Sequence, residues 1–106
     1  MATFYNKVVK NVDTGKIAVF QSTSDSTIVL SILVANTTGS TSADVTVQQD
    51  NSANGLEAYL ARTIPVPAQS NLDVISNKFI IPSGKKIAVQ STVSGSMDTI
   101  VSYVEV

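Results

Sequence analysis

The chain has 106 residues, 43% of them hydrophobic but only 14% charged, with a net charge of −1. It contains no cysteine and no histidine, which excludes disulfides, thiolate metal sites, thiol nucleophiles and imidazole-based acid–base catalysis. Its basic residues are scattered, with Lys85-Lys86 the single adjacent pair, so a nucleic-acid groove is not expected.

The length suits one domain spanning residues 1–106. A charged fraction below the usual ~25% leaves a surface carried by Ser, Thr, Asn and Gln, which fits a subunit held inside an assembly. The opening Met1-Ala2-Thr3-Phe4-Tyr5-Asn6-Lys7 lacks an apolar signal region, and no run approaches ~20 apolar residues. Synthesis in the cytoplasm without export, and no membrane partner, are the expectations.

From the N-terminus, Phe4 to Val12 reads as a strand. The Val8-Val9 doublet breaks its alternation, as at a bulge or an edge, and Lys7 and Lys10 suit an edge kept from stray pairing. Asp13-Thr14-Gly15 turns the chain into a strand over Lys16–Ser22 with Ile17 and Val19 on one side. Thr27 to Asn36 is apolar on both sides, the pattern of a central strand covered on both faces, with Ile28, Leu30, Ile32 and Val34 together.

Ala43 to Gln49 is a half-buried strand, Val45 and Val47 inward and Asp44, Thr46 and Gln48 outward. Asn51-Ser52-Ala53-Asn54-Gly55 is a hairpin loop whose Asn-Gly supplies positive φ. Residues 56–62 have helical composition, but their place before Ile64-Pro65-Val66-Pro67 favours a strand with Leu56, Ala58 and Leu60 inward. Pro65 and Pro67 predict an extended crossing segment outside any ladder. Asn71–Ile75 and Lys78–Ile81 are short strands around Ser76-Asn77, and Pro82-Ser83-Gly84 turns into Lys85–Val93. Ser94-Gly95-Ser96 then closes a hairpin onto Met97–Val106. The sum, about eight or nine short strands at turn spacings of roughly 8–12 residues, predicts an all-β fold, a single antiparallel two-sheet β-sandwich, Ig-like or jelly-roll.

No catalytic constellation emerges. The carboxylates Asp13, Asp25, Asp44, Asp50, Glu57, Asp73, Asp98 and Glu105 are dispersed, and Asp13 and Asp25 sit in turns where a side chain bonds the local backbone. No pair is placed for glycoside hydrolysis. Asp50-Asn51-Ser52-Ala53-Asn54 is the nearest approach to a calcium loop but reads as a plain hairpin. Asn36-Thr37-Thr38 is a glycosylation sequon without an export signal. No metal and no cofactor are expected. Aromatic residues are few and there is no tryptophan, which disfavours a sugar platform. Phe4, Tyr5, Tyr59 and Tyr103 are instead the candidate contact residues, with Phe4-Tyr5 an arm for a neighbouring subunit.

Several segments carry a resemblance in order along the chain: the opening 1–12, Val34-Ala35-Asn36-Thr37-Thr38, Ala43-Asp44-Val45-Thr46-Val47, and Ile64-Pro65-Val66-Pro67-Ala68-Gln69-Ser70-Asn71-Leu72-Asp73-Val74. Ile81-Pro82-Ser83-Gly84-Lys85-Lys86-Ile87 and the closing Met97-Asp98-Thr99-Ile100-Val101-Ser102-Tyr103-Val104-Glu105-Val106 complete the set. Together they resemble the small β-sandwich virion structural proteins of tailed bacteriophages, the cyanobacteria-infecting type in particular. That resemblance implies a non-enzymatic particle component, foremost a capsid decoration or cement protein present in many copies. Its implied partners are other virion proteins, such as the major capsid protein or neck and tail proteins, and copies of itself, a trimer among the arrangements. The alternative it leaves open is a neck, tail or fibre-associated structural or receptor-binding module.

Overall fold

The computed structural model describes residues 3–75 and 77–105. Among these described residues nine strands form: β1 (Thr3–Val12), β2 (Ile17–Gln21), β3 (Thr27–Asn36), β4 (Ala43–Asp50), β5 (Leu56–Val66), β6 (Asn71–Asp73), β7 (Phe79–Ile81), β8 (Lys86–Ser91) and β9 (Met97–Glu105). Ser76 of the expected Ser76-Asn77 turn, and Met1, Ala2 and Val106 at the chain ends, lie outside the described residues. Residues 56–62 are strand despite their helical composition, because β5 is held along its length by β4. Tertiary pairing overrides local propensity there.

The strands stack as two antiparallel sheets. One runs β1-β9-β3, with β6 and β7 on the remaining edge of β3; the other runs β2-β8-β4-β5. β6 pairs with Leu33–Ala35 and β7 with Thr27–Val29, so these two short pieces act as halves of one interrupted strand. Among the described residues only β4 and β5 are consecutive in sequence and share a ladder. All other ladders join distant segments. That interleaving is a jelly roll, in contrast to the adjacent-strand hairpins of an Ig-like sandwich.

The expected hairpin at Ser94-Gly95-Ser96 is therefore a crossover, carrying the chain from β8 in one sheet to β9 in the other. Gly95 takes φ 63°, a conformation L side chains resist. Asp13 holds this turn, its Oδ1 accepting from the Gly95 backbone N–H at 2.7 Å and from Ser94 Oγ at 2.8 Å. Its side chain thus bridges two distant turns instead of bonding its own.

The central strand is β3, but its faces differ from the simple alternation. Val29 pairs with Tyr103 and Ser31 with Ser102, leaving Leu30 as an extra residue in a β-bulge. A bulge of one residue exchanges the two faces. Thr27, Val29, Ile32, Val34 and Asn36 point into the sandwich, all buried, while Ile28, Leu30, Leu33 and Ala35 are half-buried on the other side. Ile32 and Val34 are inward as expected; Ile28 and Leu30 are not. The second face is also not covered by a further layer among the described residues, because the sandwich has only two.

Bulges shift other expectations too. β1 is an edge strand, one of the two readings of Val8-Val9, but its irregularity falls between Val9 and Val12, where Asn11 has φ 59°. In β2 a shift between Ala18 and Phe20 buries both Val19 and Phe20 and leaves Ile17 exposed. In the hairpin loop Asn54, not Gly55, adopts positive φ, and Asn51 Oδ1 accepts from the N–H groups of Ala53 and Gly55, both at 2.9 Å. β5 is irregular against β4 at three points, so Leu60 and Ala61 reach the core while Leu56 and Ala58 are exposed. Pro65 is a ladder member, opposite Asp44. An edge strand tolerates it because its missing N–H falls where no partner strand needs it.

The core lies between the inward residues of β3 and β9 and those of β4 and β8, including Ile32, Val34, Val101, Val45, Val47 and Val89, all 0% exposed. Deleting atoms there leaves a cavity that the close-packed interior fills poorly. In urea denaturation Ile32→Ala is expected to cost about 2–5 kcal/mol. Ile28→Ala, on the half-buried outer face, should cost less than about 1.5 kcal/mol. Equal losses would contradict the assigned bulge.

Candidate functional site

The outer face of the five-stranded sheet is built by register. Phe4, Val104, Ile28 and Ile80 stand opposite one another across β1, β9, β3 and β7. Two residues along, Asn6, Ser102 and Ser31 form a polar row. Two further, Val8, Ile100 and Leu33 form a second apolar row, ending at Asp73 of β6. Cross-strand partners share a face, and the opposite parity of β9 (Met97, Thr99, Val101) is buried in the core, so all three rows point away from it. Phe4 is 72% exposed, Ile80 68% and Val8 51%. Val104, flanked by Phe4 and Ile28, is buried without belonging to the inter-sheet core cluster.

The four aromatic candidates do not converge. Phe4 belongs to this outer face. Tyr5 and Tyr103 pair across β1 and β9 on the inner side, stacked at 5.4 Å between centroids, and Phe20 of the other sheet closes on Tyr103 at 4.5 Å. Tyr59 lies on β5 in the four-stranded sheet, with the Arg62 guanidinium 4.8 Å from its ring centre. Two stacked rings, one of them half-buried, are a small basis for sugar binding. Ile80, Val8, Ile28, Leu33, Ile100 and Val104 were not among the candidates. Their signal was the two-sided apolarity of β3, which the sequence reading assigned to burial within the fold.

Several polar side chains are occupied in structural roles. Asp50 is 1% exposed; its Oδ2 lies 2.9 Å from Lys16 Nζ and its Oδ1 accepts from Gln48 Nε2 at 2.6 Å. Gln48, expected outward, is buried, the β4–β5 register shifting between Val47 and Gln48. Lys16 also donates to the Asn54 carbonyl at 3.0 Å, and Lys86 donates to Asn54 Oδ1 at 2.8 Å. The oxygens considered for a calcium loop are thus already bonded to ammonium and amide donors. Among the described residues no group of three or more acidic side chains converges as a metal site would need.

Glu57 binds Lys85 and accepts from Gln49 Nε2, and these contacts, Lys85 first, hold its carboxyl below the usual value. Such a depressed carboxyl contributes at neutral pH and loses its contribution as pH falls through the folded value. Asn36, the sequon residue, is buried, its Nδ2 donating to the carbonyls of Thr41 and Val66, both at 2.9 Å. A concavity of about 520 Å³ between the end of β1 and the start of β2 has Asp13 as the single carboxylate in its wall. That carboxylate already holds the Ser94-Gly95 turn.

No family model matches the chain, and no curated protein matches its sequence. Solved structures with similar backbones include the following two. A protein of Bacillus endospore appendages, a family of disulfide-linked pili, superposes with a TM-score of 0.63 at 12% identity, over 98% of this chain and 87% of that one. A chain from the acid-stable capsid of a Helicobacter pylori bacteriophage does so with a TM-score of 0.62 at 6% identity, over 99% and 87%. What is shared is the fold.

Two measurements check this part of the structure. Lys16→Met leaves the Asp50 carboxylate short of its cation and should cost roughly 1–3 kcal/mol, below a fully buried pair because Lys16 is about one-third exposed. Lys16→Met/Asp50→Leu should recover part of that loss in the same denaturation assay. Burial pushes the Tyr103 phenol above its ordinary value, with Glu105 and Tyr5 acting in the same direction. In an absorbance titration, part of the tyrosinate signal should therefore develop above about pH 10, and Tyr103→Phe should remove that part. The raised value means that this group's stabilisation is present below about pH 10 and is lost as pH rises through the folded value.

Proposed function

We propose that this chain is a virion structural protein of a tailed bacteriophage, without catalytic activity, seated in many copies on the particle as a capsid decoration or cement protein. The observation that carries this reading is the uncovered outer face of the five-stranded sheet. A central strand apolar on both sides has one face in the core and the other toward solvent, where Phe4, Val8 and Ile80 are each more than half exposed. An apolar face of this kind marks a contact with another macromolecule. A charge content of 14% fits a subunit whose surface is largely occupied. Repeated contacts on a symmetric particle would multiply a modest affinity per site.

The sequence resemblance supports the phage assignment, and the jelly-roll likeness to a phage capsid chain supports it at the level of fold. The endospore pili of similar fold are named for disulfide linkage. This chain has no cysteine, so that covalent route to a filament is closed to it. A receptor-binding module at a fibre tip would be served by a converging aromatic platform, but Tyr59 lies in the other sheet from Tyr5 and Tyr103.

The test is occupancy of purified particles. Quantitative mass spectrometry should find the chain in many copies per particle. Purified chain added to particles assembled without it should bind saturably. Phe4→Asp and Ile80→Asp should each reduce binding at least tenfold, while Leu56→Asp, in the four-stranded sheet, should leave it unchanged. Particles that lack the chain, or binding indifferent to Phe4 and Ile80, would overturn the proposal.

A further inference from the structure

We propose that the open edge of β1 pairs with β1 of a second copy, antiparallel, about a two-fold axis through Asn6, joining two five-stranded sheets into one. This goes beyond the particle assignment and does not rest on it. β1 has ten residues, nearly all exposed, and its one ladder is with β9. Among the described residues no strand pairs with its other edge. Such an edge is a template for another strand.

The side chains select the partner and the register. A two-fold axis normal to the sheet keeps each face on its own side, so opposed residues have equal parity and the axis passes through a residue. With the axis at Tyr5, Phe4 would meet the partner's Asn6. With the axis at Lys7, that ammonium would meet its own copy and Phe4 would meet the partner's Lys10. Centres further along run into the bulge between Val9 and Val12.

With the axis at Asn6, Phe4 meets the partner's Val8, joining side chains that are 72% and 51% exposed. Tyr5, 45% exposed, meets the partner's Lys7, which places a cation beside an aromatic ring. Asn6 meets its own copy, an uncharged pair able to hydrogen-bond. This register alone of the three avoids both like charges and an apolar–polar mismatch on the outer face. Lys7 then acts as a register guard, repelling the neighbouring alignment.

The same axis aligns the outer rows. The row Ile80, Ile28, Val104, Phe4 continues into the partner's Val8 and onward along its second apolar row. The polar row of Ser31, Ser102 and Asn6 meets itself. The two apolar rows of one subunit thus become two stripes crossing both, the self-complementarity that a two-fold interface requires.

Single-cysteine variants read the register, since the chain has no native cysteine. Opposed residues in an antiparallel pair have Cα atoms about 4.5–5.5 Å apart, within disulfide reach. Phe4 and the partner's Phe4 would be separated by about 13 Å along the strand. With oxidised glutathione, Asn6→Cys should give a linked dimer of twice 11.1 kDa. Phe4→Cys and Val8→Cys should each stay monomeric on non-reducing gels, yet cross-link when mixed. In sedimentation velocity the unmodified chain should be a dimer, and Asn6→Lys should convert it to a monomer with an unchanged far-UV spectrum. A monomeric unmodified chain, or cross-linking by Phe4→Cys but not by Asn6→Cys, would overturn the proposal. Because these assays use the isolated chain, that failure would leave the particle reading standing.

Discussion

The bulge at Leu30-Ser31 governs how the apolar surface of this chain is divided. One extra residue in β3 sends Val29 and Ile32 into the core together and turns Ile28 and Leu33 outward. Since β9 pairs along the whole of β3, and β1 along β9, the outward set is copied across the sheet. Ile28 aligns Val104 and Phe4; Leu33 aligns Ile100 and Val8. Of these side chains Val104 is buried, Ile28, Leu33 and Ile100 are half-buried, and Phe4 and Val8 stand exposed.

The topology makes that placement hard to relax. Nearly every ladder joins strands far apart in sequence, so β3 cannot slip without disturbing β9, β6 and β7 at once. A one-residue slip would also move Ile32 and Val34 out of the core. Polar side chains pin the loops at both ends: Asp13 on the Ser94-Gly95 turn, Asn36 on the carbonyls of Thr41 and Val66, and Lys16 on buried Asp50. Polar groups brace the scaffold, while Phe4, Val8 and Ile80 stand exposed on the outer face of the five-stranded sheet.

Strand positions and the two-sheet class were legible in the sequence because turn residues punctuate short β-branched runs, and β3 and β4 stand where their patterns place them. The sequence could not show which strands pair. Ser94-Gly95-Ser96 has the composition of a hairpin turn and serves as a crossover, a distinction that depends on distant partners. Bulges were equally hidden: Val8-Val9 has a bulge-like pattern, yet the irregularity falls beyond it, at a residue of positive φ. Gln48 was expected outward, but the β4–β5 register shifts at Val47/Gln48 and it is buried, donating to Asp50, whose carboxylate meets Lys16 more than thirty positions away. The candidate surface was half visible. Phe4 stood out, but Ile80 and Val8 join it only through register. The apolarity of β3 was noticed and assigned to the interior, since sequence alone cannot say whether a second face is covered by the same chain or by another.

The central claim is that this outer face is occupied in the assembled state. Hydroxyl-radical footprinting of the chain, free in dilute solution and within its native assembly, tests it most directly. The account predicts that oxidation of Phe4, Val8 and Ile80 falls sharply on assembly while that of Leu56 and Tyr59 stays near its free level. Unchanged labelling of Phe4 and Ile80, with protection confined to the four-stranded sheet, would contradict it.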